Sequence, residues 1–159
     1  MHLEEGGEGL DFLSFHHRRV RGEHKYRHLR FLARWPSREA MQRARERIRE
    51  ITAPRRLLLG VEVIVQDLNN YLRGWANYFR YGNSRLHFTR ITTYALRRLA
   101  RFVAKRHKRK AGYGMTVVAF VSPNRMGLVN LDRLVVTPSP FRDWRVKRAK
   151  PNAGGEGRR

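Results

Sequence analysis

The sequence lacks cysteine, has few acidic residues and contains no long apolar run. Without cysteine, none of its 159 residues can form a disulfide, a thiolate metal site or a cysteine nucleophile. The 13 Asp and Glu residues are spread along the chain, so the paired aspartates that hold Mg²⁺ in polymerases and nucleases are not predicted. No stretch approaches the roughly 20 apolar residues of a transmembrane helix, and the acidic start lacks the apolar segment of a signal peptide. We therefore expect a cytoplasmic protein without a membrane partner.

Small-molecule sites are not indicated either. A phosphate-binding loop needs a glycine-rich turn between a strand and a helix, followed by Lys and then Ser or Thr, and the sequence has no such pattern. The seven histidines are scattered, and His24 and His28, although spaced as on a helix, have no third ligand beside them. We predict no catalytic residue, no metal site and no cofactor.

Positive charge dominates what is present. The chain has 35 Lys and Arg residues against 13 acidic ones, which gives a net charge of +22. Because so much like charge opposes compaction, a polyanionic partner is expected. Nucleic acid is favoured over an anionic membrane surface, since Lys and Arg gain affinity by displacing counterions from phosphates. Charge alone does not separate RNA from DNA. Hydrophobic residues make up 41% of the sequence, enough for the core of one domain.

The rest of the chain is organised around the stretch Val61–Arg80. Its apolar residues recur at steps of three and four, which predicts one buried stripe of an α-helix. The opposite face carries amides and arginines. The Asn69-Asn70 pair leaves two alternatives, because Asn favours caps and turns: the helix continues to Tyr81, or it breaks and Asn69 caps a second helix.

Two further helices flank this stretch. Ser37 is predicted to cap a helix over Arg38–Thr52, whose mixed Arg and Glu residues are typical of a solvated face. Ser84 is predicted to cap a longer helix over Arg85–Lys110. Eight of the fourteen residues from position 97 to 110 are Lys or Arg, and no acidic residue occurs in this helix. A solvated structural face normally mixes signs, so we predict that this face contacts phosphates.

The segments on either side of the helices predict β-structure. Residues 10–21 favour a strand, which Gly22-Glu23 turns back into a second strand over Tyr26–Leu32. Such a hairpin is marginal alone and must pack on another part of the structure. Three segments are predicted toward the C-terminus: short strands over Thr116–Val121 and Leu128–Thr137, and a disordered end over Lys147–Arg159.

The predicted fold class is therefore mainly α, a helical bundle preceded by a short β-hairpin and followed by a weakly structured basic tail with short strands. Its three segments are the N-terminal hairpin segment 1–34, the helical domain 35–111 and the basic extension 112–159.

These patterns single out two groups of residues. The buried stripes predict a structural core of Leu68, Leu72, Trp75, Phe79, Phe88, Leu99 and Phe102. The polar faces predict a nucleic-acid-binding surface of Arg73, Asn77, Arg80, Arg90, Arg97, Arg98, Arg101, Lys105, Arg106, Lys108, Arg109 and Lys110. Tyr71 and Tyr81 lie at the edge of the stripe, where a tyrosine can stack on a base or pack into the core.

The stretch Leu68–Arg80, with the sequence LNNYLRGWANYFR, resembles the maturase-specific segment, also called domain X or the thumb, of group II intron-encoded reverse transcriptases. As in that family, Gly82-Asn83-Ser84 and a helix ending in a basic run follow it. Phe12-Leu13-Ser14-Phe15 resembles the Phe-Leu-Gly-Phe hairpin that closes the polymerase palm, with Ser14 in place of glycine.

The resemblance covers positions 10–114. It implies an α-helical domain that binds intron RNA, helps the RNA fold into its splicing-active form and grips the template–primer duplex. Asn70 stands where many members have proline, which bears on the question of a helix break. The family's Tyr-Ala-Asp-Asp polymerase motif and its Cys-rich HNH endonuclease do not occur in the sequence. We therefore expect no enzymatic activity from this chain alone.

Three functional hypotheses follow. The first is an RNA-binding maturase module that binds group II intron RNA and assists its folding and splicing. The second is the C-terminal part of a split or truncated reverse transcriptase that binds an RNA–DNA template–primer duplex together with a separate palm polypeptide, because Met1 stands just before the hairpin. The third is a non-functional fragment or a general nucleic-acid-binding protein.

Overall fold

The computed structural model describes residues 7–22, 27–122 and 124–136. The chain starts with a three-stranded antiparallel sheet in the order β1-β2-β3. Its strands are β1 (Leu10–Phe12), β2 (Phe15–Arg21) and β3 (Arg30–Pro36). The predicted hairpin is present, but the chain makes one more turn than the sequence pattern indicated.

The additional turn lies between β1 and β2. Its two residues both have positive φ, 48° for Leu13 and 65° for Ser14, as two-residue hairpin turns of type I′ require. The residue pattern over 10–21 did not indicate this turn, because neither residue is Gly or Asn, whereas the resemblance of Phe12-Leu13-Ser14-Phe15 to the Phe-Leu-Gly-Phe hairpin did. The strand predicted over Tyr26–Leu32 is displaced along the chain: β3 begins at Arg30, and Tyr26 lies outside the described residues.

The sheet packs on the helices through its first turn and through Phe15. The Phe15 ring lies 5.5 Å from the ring of Tyr78 and 4.9 Å from that of Phe79. The Tyr78 hydroxyl donates a hydrogen bond of 2.9 Å to the Leu13 carbonyl. The N–H of Ser37 donates to the Ser14 carbonyl at 2.8 Å. The hairpin therefore gains from helices the support that an isolated two-stranded ribbon lacks.

Three long helices follow the sheet, namely α1 (Arg38–Ile51), α2 (Val61–Phe79) and α3 (Arg85–Arg106). Ser37 caps α1 as predicted, because its Oγ accepts a hydrogen bond of 3.2 Å from the N–H of Ala40. Ser84 stands at the N-cap position of α3, but its side chain makes no capping bond. A 3₁₀ turn at Pro54–Arg56 connects α1 to α2.

α2 continues without a break through Asn69 and Asn70. The Asn69 amide donates to the Gly127 carbonyl at 2.9 Å and accepts from the N–H of Val129 at 2.8 Å. Because these partners lie about 60 residues away in sequence, the side chain does not compete for the backbone of its own helix. Of the two alternatives, the continuous helix is correct.

α3 ends four residues before the predicted position. The N–H of Lys108 donates to the Lys105 carbonyl at 3.1 Å, and the N–H of Arg109 donates to the Ala104 carbonyl at 2.8 Å. These are the two bonds of a Schellman motif, whose turning residue needs positive φ. Lys108 supplies it with a φ of 52°. The motif ends the helix inside the basic run and redirects the chain.

The strand predicted over Thr116–Val121 is wrong, because these residues form a π-helical turn that continues α4 (Ala111–Met115). α4 packs closely on α3 at Gly114. A Cβ atom added to Gly114 would lie 1.9 Å from the Ala100 carbonyl oxygen, so this contact requires glycine. Val118 is fully buried one turn later. The apolar run packs against α3 as a helix instead of pairing in a sheet.

The strand predicted over Leu128–Thr137 is also wrong within the described residues. Leu131–Leu134 form a 3₁₀ turn, and Val136 makes a single β-bridge to Tyr81. Leu128 and Leu131 are buried in the core. Thr137 and the end predicted as disordered, Lys147–Arg159, lie outside the described residues.

One hydrophobic core joins the three long helices. The seven residues predicted for it are all buried, namely Leu68, Leu72, Trp75, Phe79, Phe88, Leu99 and Phe102. At its centre the Trp75 ring lies 4.9 Å from Phe79 and 5.1 Å from Phe88, which joins the C-terminal half of α2 to the start of α3. In the part of the chain that the structure describes, no helix is both long and apolar enough to cross a membrane.

Candidate nucleic-acid interface

α3 presents a face of one charge sign to the solvent. The basic side chains exposed on α3 and on the turn after it are Arg85, Arg90, Arg97, Arg101, Lys105, Arg106, Lys108, Arg109 and Lys110. On α1, by contrast, basic side chains form ion pairs with acidic ones: Arg47 lies 2.7 Å from Glu50. Within the described ranges, none of the exposed basic side chains on α3 pairs with a carboxylate. This face is available for anions from outside the chain.

Two arginines of the predicted surface also hold the fold together. Arg98 donates from Nε to the Thr52 hydroxyl at 3.1 Å and from Nη2 to the Thr52 carbonyl at 3.5 Å, at the C-terminal end of α1. The Nη1 of Arg106 donates to the carbonyls of Leu57, at 2.7 Å, and Leu59. These bonds attach the loop between α1 and α2 to α3. Substituting either arginine would therefore affect stability as well as charge.

The predicted residues on α2 form a second exposed group. Arg73 and Asn77 point to the solvent, one turn apart. Between them, Gly74 has no atom within 4 Å of the place where a Cβ would lie, so packing does not explain a glycine there. Arg80 is half-buried, and its guanidinium carbon lies 5.2 Å from the centre of the Tyr81 ring.

The two groups lie on different helices. Trp75 contacts Phe88 of α3, whereas Arg73 and Asn77, each two residues from Trp75, lie roughly 160° away from it around α2 and so face away from α3. Lys105 is 17 residues beyond Phe88, which corresponds to about 25 Å along the helix axis at 1.5 Å per residue. The candidate surface is therefore elongated, as suits a ligand that carries phosphates along its length.

A comparison with known families decides the identity of this helical region. Residues 41–117 match the family model described as Group II intron, maturase-specific domain. This region is a group II intron maturase-specific segment. The match starts within α1, includes all of α2, α3 and α4, and ends in the π-helical turn. No curated protein matches the chain significantly.

The family match confirms the resemblance on which the family was predicted. The maturase-specific domain is non-catalytic, and it implies a maturase-related function and an association with group II intron RNA. The elongated basic surface lies mainly on α3, which is wholly inside the maturase-specific segment. Among the described residues, no three His, Asp or Glu side chains are grouped closely enough to hold a metal ion.

The tyrosines at the edges of the buried stripe differ in their surroundings. Tyr71 is half-buried and packs against the core of the maturase-specific segment, and this burial raises the pKa of its hydroxyl. Tyr78 and Tyr81 remain about half exposed. The structure thus gives Tyr71 a packing role and leaves the Tyr81 ring accessible to a base, with Arg80 beside it.

His87 was not singled out from the sequence. Its ring stacks on Trp35 of β3 at a centroid distance of 6.2 Å. Burial, and to a smaller extent the charge of Arg90, lowers the pKa of His87 to about 4, so the ring is neutral at pH 7. It helps to close a cavity of about 300 Å³ between the sheet and the helices. In the sequence, His87 is an imidazole ring close to basic residues. That pattern cannot predict its contact with Trp35, which lies more than fifty residues away on a strand.

A larger cavity was also not indicated by the sequence. It measures about 420 Å³ and lies between the loop after α1 and the C-terminal half of α3. Four basic residues already predicted for the surface line it, namely Arg98, Arg101, Lys105 and Arg109. Pro54 and Leu57 form its opposite side. From the sequence, Pro54 and the apolar run after it predicted only a loop between α1 and α2. No local sequence pattern shows that this loop folds over α3.

Proposed function

We propose that this protein is an RNA-binding module that binds group II intron RNA, assists its folding and splicing, and does so without catalysing polymerisation. One observation carries the proposal: all exposed charged side chains of α3 are basic, none of them pairs with a carboxylate among the described residues, and α3 lies inside the maturase-specific segment. Phosphates compensate such a face by neutralising charges that otherwise repel one another.

The shape of the surface supports folded RNA as the ligand. Its basic residues extend over about 25 Å of a convex helix, and double-stranded RNA is recognised mostly by shape and by contacts to phosphates and 2′-hydroxyls. Arg73 and Asn77 add a second exposed polar group, on α2. The exposed backbone at Gly74 would let an RNA strand approach α2 closely there.

The salt dependence of RNA binding tests this proposal. Arg97→Ala with Arg101→Ala removes two unpaired charges from α3, so the slope of log affinity against log salt for intron RNA is expected to fall. The decrease should be roughly 0.7 to 0.9 for each phosphate that the protein no longer neutralises. Fluorescence titration at salt concentrations between about 50 and 300 mM measures that slope, because protein–nucleic acid binding weakens strongly over this range.

The matched control removes the same charge from α1. Arg43→Ala with Arg47→Ala deletes two arginines that already pair with Glu39, at 3.5 Å, and Glu50, at 2.7 Å. The slope is expected to stay near the wild-type value in this control. If the α3 double variant and the α1 double variant gave the same slope of log affinity against log salt, α3 would be excluded as the interface. Equal competition by unrelated structured RNA would reduce the protein to a general nucleic-acid binder.

The first hairpin favours a second candidate, contribution of template–primer binding to a separate palm polypeptide. The hairpin is anchored to α2 by the bond from Tyr78 to Leu13, yet the side chains of Phe12 and Leu13 are 61% and 67% exposed. Apolar side chains at such a tip suit a protein partner. Mixing the protein with a palm-containing polypeptide should restore primer extension, and Leu13→Asp should abolish that rescue while leaving RNA binding intact.

A further inference from the structure

The 420 Å³ cavity between the α1–α2 loop and α3 combines charge with apolar surface. Arg101, Lys105 and Arg109 stand on its rim, and no acidic residue lines it. Within the described part of the chain, these three side chains have no hydrogen-bond or ion-pair partner. Three unpaired cations converging on one cavity favour an anionic ligand, because nothing in the fold neutralises them.

The cavity is held open by bonds that belong to the fold. Arg98 binds both the hydroxyl and the carbonyl of Thr52 at one end, and Arg106 binds the carbonyls of Leu57 and Leu59 at the other. The Schellman turn at Lys108 returns the chain, so that Arg109 reaches the rim. A site fixed in this way needs little reorganisation when a ligand enters.

The interior of the cavity is apolar. Pro54, Leu57, Phe102, Ala104 and Ala111 contribute to its walls. Its accessible apolar surface comes from Pro54, Leu57 and Ala111, because Phe102 and Ala104 are almost wholly buried. A phosphate ion alone would leave this surface without a partner. Its volume falls within the range of pockets that enclose small ligands, about 300 to 1,000 Å³. The site therefore suits a ligand with a flat apolar part and an attached phosphate.

We propose that the cavity binds one unstacked nucleotide of the RNA, with its base against Pro54 and Leu57 and its flanking phosphates on Arg101, Lys105 and Arg109. Proteins that read RNA commonly splay single bases out of loops and bulges and place them against apolar or aromatic side chains. The proposal rests on the proposed function and adds to it a defined point of contact. The bound nucleotide would fix the position of the RNA on the protein, and the basic face of α3 would contact the phosphates that follow it.

The test uses the full chain with ¹³C-labelled leucine and alanine methyl groups. Titration with adenosine 5′-monophosphate should shift the methyl signals of Leu57, Ala104 and Ala111 in a saturable way. Ribose 5-phosphate carries the same phosphate without a base, so it should bind about 5- to 150-fold more weakly, the range expected for one stacked base. Equal affinities, or shifts confined to other residues, would overturn the proposal without any variant being needed.

Three substitutions identify the parts of the site. Arg101→Ala should weaken both ligands several-fold, whereas Arg133→Ala, at an exposed position of the 3₁₀ turn Leu131–Leu134 outside the cavity wall, should leave both affinities unchanged. Ala111→Leu fills the exposed side of the cavity without removing charge, so it should weaken the nucleotide more than ribose 5-phosphate. If Arg133→Ala weakens binding of the nucleotide as much as Arg101→Ala does, the positive charges attract the nucleotide from any position on the protein and a defined nucleotide site is excluded.

The outcome for the proposed function is measured separately. Intron RNA containing 4-thiouridine should cross-link to peptides that contain Leu57 or residues 98–111, and Ala111→Leu should remove this cross-link. Salt-dependent binding of intron RNA with no such cross-link would retain the proposed function and reject the nucleotide site. A short poly-aspartate peptide that shifts the same methyl signals and binds more tightly than the mononucleotide would assign the cavity to a protein partner instead.

Discussion

At the end of α3, Lys108 adopts a backbone conformation that glycine usually supplies. Its φ of 52° places it at the turning position of the Schellman motif, where an L-residue with a Cβ atom costs roughly 1–2 kcal/mol. The chain carries this cost while keeping a cation at the basic end of α3. Lys108 thus places a positive charge at the end of the basic face at the expense of backbone strain.

Lys108→Gly is therefore expected to have opposite effects on folding and on binding. The free protein should gain about 1 kcal/mol in free energy of unfolding, because glycine adopts positive φ without strain. Intron RNA should bind with a salt slope lower by roughly 0.7 to 0.9, since the protein then neutralises one phosphate fewer. Urea denaturation and RNA titration measure the two quantities. Lys108→Ala removes the same charge but keeps the strain, so a gain in stability as large as that of Lys108→Gly would refute the explanation.

Among the structural elements, the three long helices follow directly from the spacing of their apolar residues. Leu68, Leu72 and Phe79 lie on one stripe, and burying that stripe places α2 at the centre of the bundle. The charged faces on α1 and α3 were likewise visible, because charge sign needs no tertiary information. Local periodicity thus predicted the helices and the general position of the candidate surface.

Elements that depend on long-range contacts could not be predicted in the same way. Thr116–Val121 is rich in β-branched residues and favours a strand locally, yet it is helical because Gly114 lets α4 approach α3 and Val118 becomes buried there. Arg98 and Arg106 looked like two more cations of the basic run. Their bonds to the α1–α2 loop span more than 40 residues of sequence, so no local pattern distinguishes them.

The continuity of α2 makes a prediction about its two asparagines. Asn69→Ala removes the amide that binds Gly127 and Val129 and leaves those backbone groups to find other partners, so it should cost about 1–3 kcal/mol of unfolding free energy. Asn70→Ala changes an exposed position of the same helix and should be neutral or stabilising by a few tenths of a kcal/mol. Chemical denaturation of both variants measures the difference. Equal stabilities would show that Asn69 does not hold the C-terminal segment on α2.

For the whole molecule, the same charge that attracts RNA acts against the folded chain. The net charge is +22, and the exposed basic residues of α3 lie within a few turns of one another. Folding brings these charges closer together than they are in the unfolded chain, so repulsion between them lowers stability. Salt screens that repulsion and also competes with phosphates for the same side chains, which makes its effects on stability and on binding opposite in sign.

The melting temperature of the free protein should accordingly rise as NaCl increases from about 10 to about 150 mM, over which the screening length falls from roughly 30 to 8 Å. Each kcal/mol gained should raise it by about 2–4 °C, while the affinity for intron RNA falls over the same range. Tryptophan fluorescence follows unfolding, because Trp75 lies in the core. Arg97→Gln with Arg101→Gln removes part of the repulsion and should flatten the rise. A melting temperature independent of salt in the wild-type protein would show that the charge of α3 is already balanced within the chain, and the case for an external polyanion would lose its physical basis.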